Sequence, residues 1–178
     1  MSLDDKQINL PHERCNYITP NIILGACPMT ETLPKMEQFG VKIFIDLREQ
    51  TNYNTRCQKY HFPILGGRPP SKKQALEIFK IIQENADKLI YIHCNGGHGR
   101  AGTIGAYILG KLYGFDASEV VKKIQLARET RIDKTRNFIP TPEMNVQIKF
   151  LVKELGLKNG NIVPDRSNIE WLKLINNI

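Results

Sequence analysis

Long apolar runs, paired cysteines and, through the middle of the chain, acidic side chains are scarce in this 178-residue sequence. No apolar run approaches the roughly 18 residues that a membrane-spanning helix needs. The opening stretch MSLDDKQINLPHER also has no apolar core of the kind a secretory signal carries. The four cysteines, Cys15, Cys27, Cys57 and Cys94, contain no C-x-x-C pair. A disulfide framework is therefore not expected, and reduced thiols in a cytosol-like compartment are, with the nucleus as the alternative address. There is no internal repeat and no low-complexity tract. With 41% hydrophobic and 24% charged residues the composition is that of a globular domain, which excludes collagen-like, mucin-like and largely disordered chains. The length suits one domain, or one domain with a short extension.

What is present is a net charge of +7, and its placement matters more than its size. Residues 1–60 are balanced, while residues 61–140 hold six of the seven excess positive charges. A solvated surface is the plain explanation. Here, though, the excess brackets the one loop with chemical content, which favours an anionic ligand.

Hydrophobic patterning gives alternating strands and helices. Asn16–Leu24 and Lys42–Leu47 read as strands, with a short helix over Glu31–Phe39 between them. Tyr60–Leu65 is extended, and Ser71 with Gln74 has capping-box spacing for a helix whose apolar stripe would be Leu76, Phe79, Ile82 and Ala86. Leu89–His93 reads as a buried parallel strand and Ala101–Tyr113 as a buried helix stopped by Gly114. Two more helices follow, over Ala117–Arg131 and from Thr141 or Pro142 to Leu155. A short docked helix near Trp171 is expected in the tail. The expectation is an α/β domain with a central, mostly parallel sheet flanked by helices over residues 1–156, and a C-terminal extension over 157–178.

The chemistry is concentrated in His93-Cys94-Asn95-Gly96-Gly97-His98-Gly99-Arg100-Ala101-Gly102-Thr103. A loop that leaves a buried strand and enters a helix can converge its backbone N–H groups on one point, and the helix dipole adds to that anion site. Glycines permit the cramped backbone such a turn requires. A thiolate at Cys94 is stabilised by the same N–H groups, and Arg100 can return a planar fork to two phosphate oxygens. Together they suit phosphoryl transfer by covalent catalysis. Rival readings fare worse. Gly97-x-Gly99-x-x-Gly102 matches a dinucleotide fingerprint but lacks the following strand with its acidic end. Gly102-Thr103 has no lysine for a Walker loop, and Cys94, His93 and His98 lack a second pair of zinc ligands. Cys94 as an inert buried thiol is the remaining plain reading.

The Cys94-x5-Arg100 loop, preceded by His93 between strand and helix, resembles the signature loop of the cysteine-dependent protein tyrosine phosphatases. The length and the short N-terminal strands resemble their compact dual-specificity branch, over roughly residues 15–155. The resemblance implies a three-layer single domain and hydrolysis of phosphomonoesters through a phosphocysteine, with no metal and no cofactor. It assigns Cys94 as nucleophile and Arg100 as phosphate clamp, with Asn95, Gly96, Gly97, His98 and Gly99 as the phosphate-binding loop. His93 would orient the Cys94 backbone. The expected partner is a phosphorylated protein or another phosphate-bearing anion, handled by a monomer.

Two departures from the family pattern stand out. Where the family has Ser or Thr directly after the arginine, this chain has Ala101, and Thr103 points elsewhere on a helix, so breakdown of the phosphocysteine should be slow. The family's acidic residue about 30 positions before the cysteine is missing too: His61–Pro70 contains no carboxylate, and Gly66 stands near its place. Asp133 is a conceivable substitute, His61 a weaker one, and Asp46 reads as structural. The alternatives are therefore an RNA 5′-triphosphatase, whose leaving group needs no acid; a phosphoinositide phosphatase, helped by a cationic His98; and a phosphate-binding module without turnover. Arg128, Arg131, Lys134 and Arg136 are candidates for secondary anion contacts.

Overall fold

The computed structural model describes residues 10–136 and 138–158. The expected tail helix around Trp171 lies outside them. Strands β1 (Cys15–Thr19), β2 (Ile22–Gly25), β3 (Val41–Asp46), β4 (Gln58–His61) and β5 (Leu89–His93) form one sheet in the order β1-β2-β5-β3-β4. Three neighbouring pairs are parallel, and only β1 and β2 run antiparallel. The single strand expected over Asn16–Leu24 is in fact this hairpin. Proline has no N–H to give a ladder and favours turns, and the chain reverses at Pro20-Asn21.

Side chains alternate across the sheet, as a period of two demands. Ile22, Leu24, Ile43, Ile45, Ile90 and Ile92 join one large core cluster. That cluster is completed by α2 (Lys72–Glu84), α3 (Gly99–Tyr113), α4 (Ala117–Glu129) and α5 (Asn145–Leu155). Ile23, Phe44 and Tyr91 instead meet Leu33 and Met36 of α1 (Leu33–Phe39) in a smaller one. The sheet is thus the middle of three layers.

Local signals fix the helix ends. Capping boxes at Ser71/Gln74 and Asp116/Glu119 start α2 and α4, each cap being worth about 1 kcal/mol. The buried face of α2 is Ala75, Ile78, Ile81 and Ile82, one residue round from the expected stripe, and Leu76 is exposed. The run Ile78-Phe79-Lys80-Ile81-Ile82 offers apolar side chains at two overlapping helical spacings, and packing on the sheet selects one. Helix α4 ends at Glu129 rather than Arg131. Helix α5 begins three or four residues later than expected, because the N–H groups of Glu143 and Met144 both donate to Gln147 Oε1 at 3.0 Å.

Candidate active site

Segments that leave the C-terminal ends of β2, β5, β3 and β4 meet at one edge of the sheet, where an open α/β sheet places its crevice. Between β5 and α3, residues 94–98 turn back on themselves. Gly97 adopts φ +76°, which L side chains rarely tolerate, and a Cβ there would lie 2.4 Å from the Gly25 backbone. The Gly97 N–H donates to Cys94 Sγ at 3.2 Å, and Cys94 is almost wholly buried at the base of the turn. On the β2 side, the Cys27 N–H donates to Asn95 O at 3.1 Å and anchors the loop to the sheet.

Arg100, in the first turn of α3, is held along one edge. Its Nη1 donates to Ile64 O at 2.8 Å and Leu47 O at 3.4 Å and stands 3.7 Å from Glu49 Oε1. Among the described residues its Nε and Nη2 meet no protein acceptor, so one edge of the fork stays available. Glu49 also accepts the Gly66 N–H at 2.7 Å, which ties the 62–70 segment to the same arginine. The segment that lacks an acid therefore serves to seat Arg100.

A second arginine supports the loop from behind. Arg131, just past α4 and fully buried, donates from Nη2 to Gly97 O at 2.9 Å and from Nη1 to Gly96 O at 3.4 Å. Its Nε donates to Asn16 Oδ1 on β1 at 2.7 Å. Arg128 Nε donates to His98 Nδ1 at 2.7 Å. Burial, reinforced by the charges of Arg128 and Arg131, pushes His98 down to about 2. His98 is therefore neutral, with its proton on Nε2, and the cationic loop histidine that a phosphoinositide reading would use is not formed. Burial also lowers Arg128, to about 10, and it stays charged at neutral pH. The expected anion-contact group thus divides. Arg128 and Arg131 are spent on the loop, Lys134 donates to Glu129 O, and Arg136 is exposed at the cavity wall.

His93 is completely buried. Desolvation pulls it down to about 4 against the attraction of Asp46. Its Nε2 meets Tyr53 Oη at 2.8 Å, while Nδ1 faces Asp46 Oδ1 at 3.8 Å and has no partner at hydrogen-bond distance. Burial resists ionisation of Asp46, but the Arg48 fork outweighs it and holds the carboxyl below its usual range. With Asp46 ionised, the network favours the proton on His93 Nδ1, and the Tyr53 hydroxyl donates to Nε2. Asp46 is thus a structural anchor, as expected. The Cys94 backbone, which His93 was expected to orient, lies close enough to His93 to favour its protonated form.

Cys94, Asn95, Gly96, His98, Gly99 and Arg100 floor a cavity of about 290 Å³, walled by Gly66 and Gly67 on one side and Arg136, Ile139 and Glu143 on the other. Asp133, the sequence's candidate acid, does not line it. Its carboxylate accepts from Thr135 N and Oγ1 at 2.8 and 2.5 Å and lies 3.6 Å from Arg14 Nε. These bonds hold it below the normal carboxylate range, in the form that cannot donate a proton. His61 is tied to Arg48 O at 2.8 Å, also away from the cavity. Glu143 was missed in the sequence because Thr141-Pro142-Glu143 read as an ordinary helix start. The clue available was small residues at Gly99 and Gly102 on the facing helix. A Cβ on Gly102 would lie 2.3 Å from Thr141 Cγ2, and one on Gly99 would lie 2.9 Å from Glu143 Oε2. Ala101 is fully buried, and Thr103 Oγ1 donates to Gly99 O at 2.7 Å, so neither offers a hydroxyl to the cavity. Among the described residues no cluster of three or more His, Cys, Asp or Glu side chains could hold a metal ion, and no helix is long and apolar enough to cross a membrane.

A thiol at the base of a strand–loop–helix turn, faced by the open edge of an arginine fork, is the arrangement of a cysteine-dependent phosphatase-type domain. A model of the phosphatase domain of Swiss Army Knife proteins, of the dual-specificity and tyrosine phosphatase type, matches residues 12–147, and the chain belongs to that family. It is 28% identical over 169 residues to a protein of Invertebrate iridescent virus 3 that carries the name tyrosine phosphatase 067L. That alignment covers 87% of this chain but 58% of the relative, so the chain spans less than two thirds of its length. Among solved structures, Tk-PTP in its active form superposes with a TM-score of 0.68 at 23% identity, over 82% of this chain and 97% of that one. DUSP15 follows at 0.62 and 16%, over 83% and 90%. At these identities the likeness is one of fold.

Proposed function

We propose that the protein hydrolyses phosphomonoesters through a phosphocysteine on Cys94, as a tyrosine or dual-specificity protein phosphatase. The observation that carries this reading is the joint geometry of Cys94 Sγ, which already accepts the Gly97 N–H, and an Arg100 fork with one edge open toward the same cavity. Loop N–H groups hold the phosphoryl oxygens while the Cys94 thiolate attacks phosphorus in line. The Arg100 Nε and Nη2 edge takes two equatorial oxygens, whose charge is met by fixed dipoles rather than reorienting water. The S–P bond forms as the ester P–O bond breaks, and water then cleaves the phosphocysteine. His93, Tyr53 and Asp46 hold the end of β5, and Arg131 holds the loop carbonyls so that the N–H groups face inward. No metal enters this scheme. A neutral His98 weighs against highly charged inositol headgroups, and the retention of both Cys94 and Arg100 weighs against a module that only binds.

The test is turnover of an aryl phosphate, a phosphotyrosine peptide, a phosphoinositide and a 5′-triphosphate RNA by the wild type and by Cys94→Ser. The expected result is peptide and aryl phosphate hydrolysis that Cys94→Ser abolishes, with 32P trapped on Cys94 in a quenched wild-type reaction. Activity that survives Cys94→Ser refutes the covalent route, and activity confined to the RNA refutes the protein phosphatase reading.

A further inference from the structure

We infer that Glu143 is the proton donor to the leaving group, carried on the segment before α5 rather than on the 62–70 segment. The inference rests on the phosphocysteine reading above. Among the described residues, Glu143 supplies the only carboxylate in the wall of the cavity that Cys94 and Arg100 floor. Its Oε2 lies beside Gly99, within the turn of α3 that carries Arg100. Gly102 lets Thr141 pack directly on α3, and Gln147 Oε1 takes the Glu143 and Met144 N–H groups, so the backbone that carries the acid is fixed. Gln147 is itself fully buried and reaches across to Arg68 O at 3.3 Å. Burial raises Glu143 above the ordinary glutamate value, against the pull of Arg100 and Arg136. That is the direction a proton donor needs, and opposite to the direction found for Asp133.

The step balances with this one group. As the Cys94 S–P bond forms and the ester P–O bond breaks, the Glu143 O–H proton passes to the departing oxygen. The resulting carboxylate accepts a proton from the water that attacks phosphorus. The S–P bond then breaks with its electron pair returning to sulfur, orthophosphate leaves, and Glu143 is again protonated.

The test compares the wild type, Glu143→Gln and Asp133→Asn on phenyl phosphate and 2,4-dinitrophenyl phosphate, with Cys94→Ser alongside. Phenolate, with a pKa of about 10, needs protonation on departure, and general acids contribute roughly 10²–10⁴ in rate. Glu143→Gln should therefore lose about 100-fold or more in kcat/KM on phenyl phosphate and less than threefold on the dinitrophenyl ester. It should also lose the alkaline limb of the wild-type pH profile, whereas Asp133→Asn should match the wild type on both substrates. Equal losses on the two esters, or a retained alkaline limb, overturn the assignment of Glu143 and leave the nucleophile standing. Turnover of either ester by Cys94→Ser overturns the reading beneath it.

Discussion

Acidification from pH 7 to pH 5 should cost this domain about 6 kcal/mol of stability, and the cause is three buried histidines. Burial, aided by Arg14 and Arg131, lowers His12 to about 4, burial lowers His93 to about 4, and burial with Arg128 and Arg131 lowers His98 to about 2. Each is less than a tenth exposed. A base whose folded value is depressed leaves stability intact above its unfolded value of 6.5. Stability is then lost as pH falls below that value, until the folded value is reached. At pH 5 each histidine is almost fully protonated in the unfolded chain and almost unprotonated in the folded one. The loss is about 2 kcal/mol per histidine, at roughly 1.4 kcal/mol per pKa unit. Three such losses are comparable with the 5–15 kcal/mol that a typical domain possesses. Urea unfolding at half-unit steps should show stability falling with a slope close to 4 kcal/mol per pH unit near pH 5, which means uptake of nearly three protons on unfolding. His12→Asn should cut that slope by about a third. Stability that stays flat between pH 7 and 5, or a slope unchanged in His12→Asn, would refute the reasoning.

Two further outcomes follow from the loop. With no hydroxyl after Arg100, the second step should limit turnover. Rapid mixing with an aryl phosphate should give a product burst near one equivalent per site, and Ala101→Ser should shrink the burst and raise the steady rate about tenfold, roughly one hydrogen bond to charge; absence of a burst in the wild type would count against this. Arg131→Lys keeps the charge but loses the fork that meets Asn16, Gly96 and Gly97. It should cost about 3 kcal/mol in urea unfolding and weaken vanadate inhibition at least tenfold, whereas an unchanged inhibition constant would show that the loop holds its shape alone.

The sequence carried most of the scaffold, because its signals there are local. The Ser71/Gln74 and Asp116/Glu119 spacings, Gly114 and Gly156 at helix ends, and the apolar run Leu89–His93 each state their role within a few residues. Where a local signal was ambiguous, packing decided: the hairpin at Pro20-Asn21 and the buried face of α2 depend on neighbours remote in the chain. The site divides in the same way. Cys94 and Arg100 share one seven-residue segment, so their partnership can be read directly. Glu143 reaches them from 43 residues beyond Arg100, through the gaps left by Gly99 and Gly102, and Arg131 through buried bonds on the far side of the loop. Asp133 carries the right functional group, but Thr135 and Arg14 engage it. Short-range patterning could not distinguish these fates, because each depends on a contact rather than a spacing.

Arg131 has one more consequence, and it concerns order of assembly. The same guanidinium clasps Asn16 on the outermost strand, β1, and the carbonyls of Gly96 and Gly97 in the loop, joining residues 115 positions apart in the chain. Strand β1 is an edge of the sheet, paired only with β2, and such edges open at lower free energy than the centre. When it peels away, Arg131 loses the Asn16 bond that helps set it against the Gly96 and Gly97 carbonyls, while β5 and α3 stay packed. The shape of the loop is therefore coupled to the docking of the amino-terminal hairpin. Binding an oxyanion in the loop should in turn hold that hairpin shut.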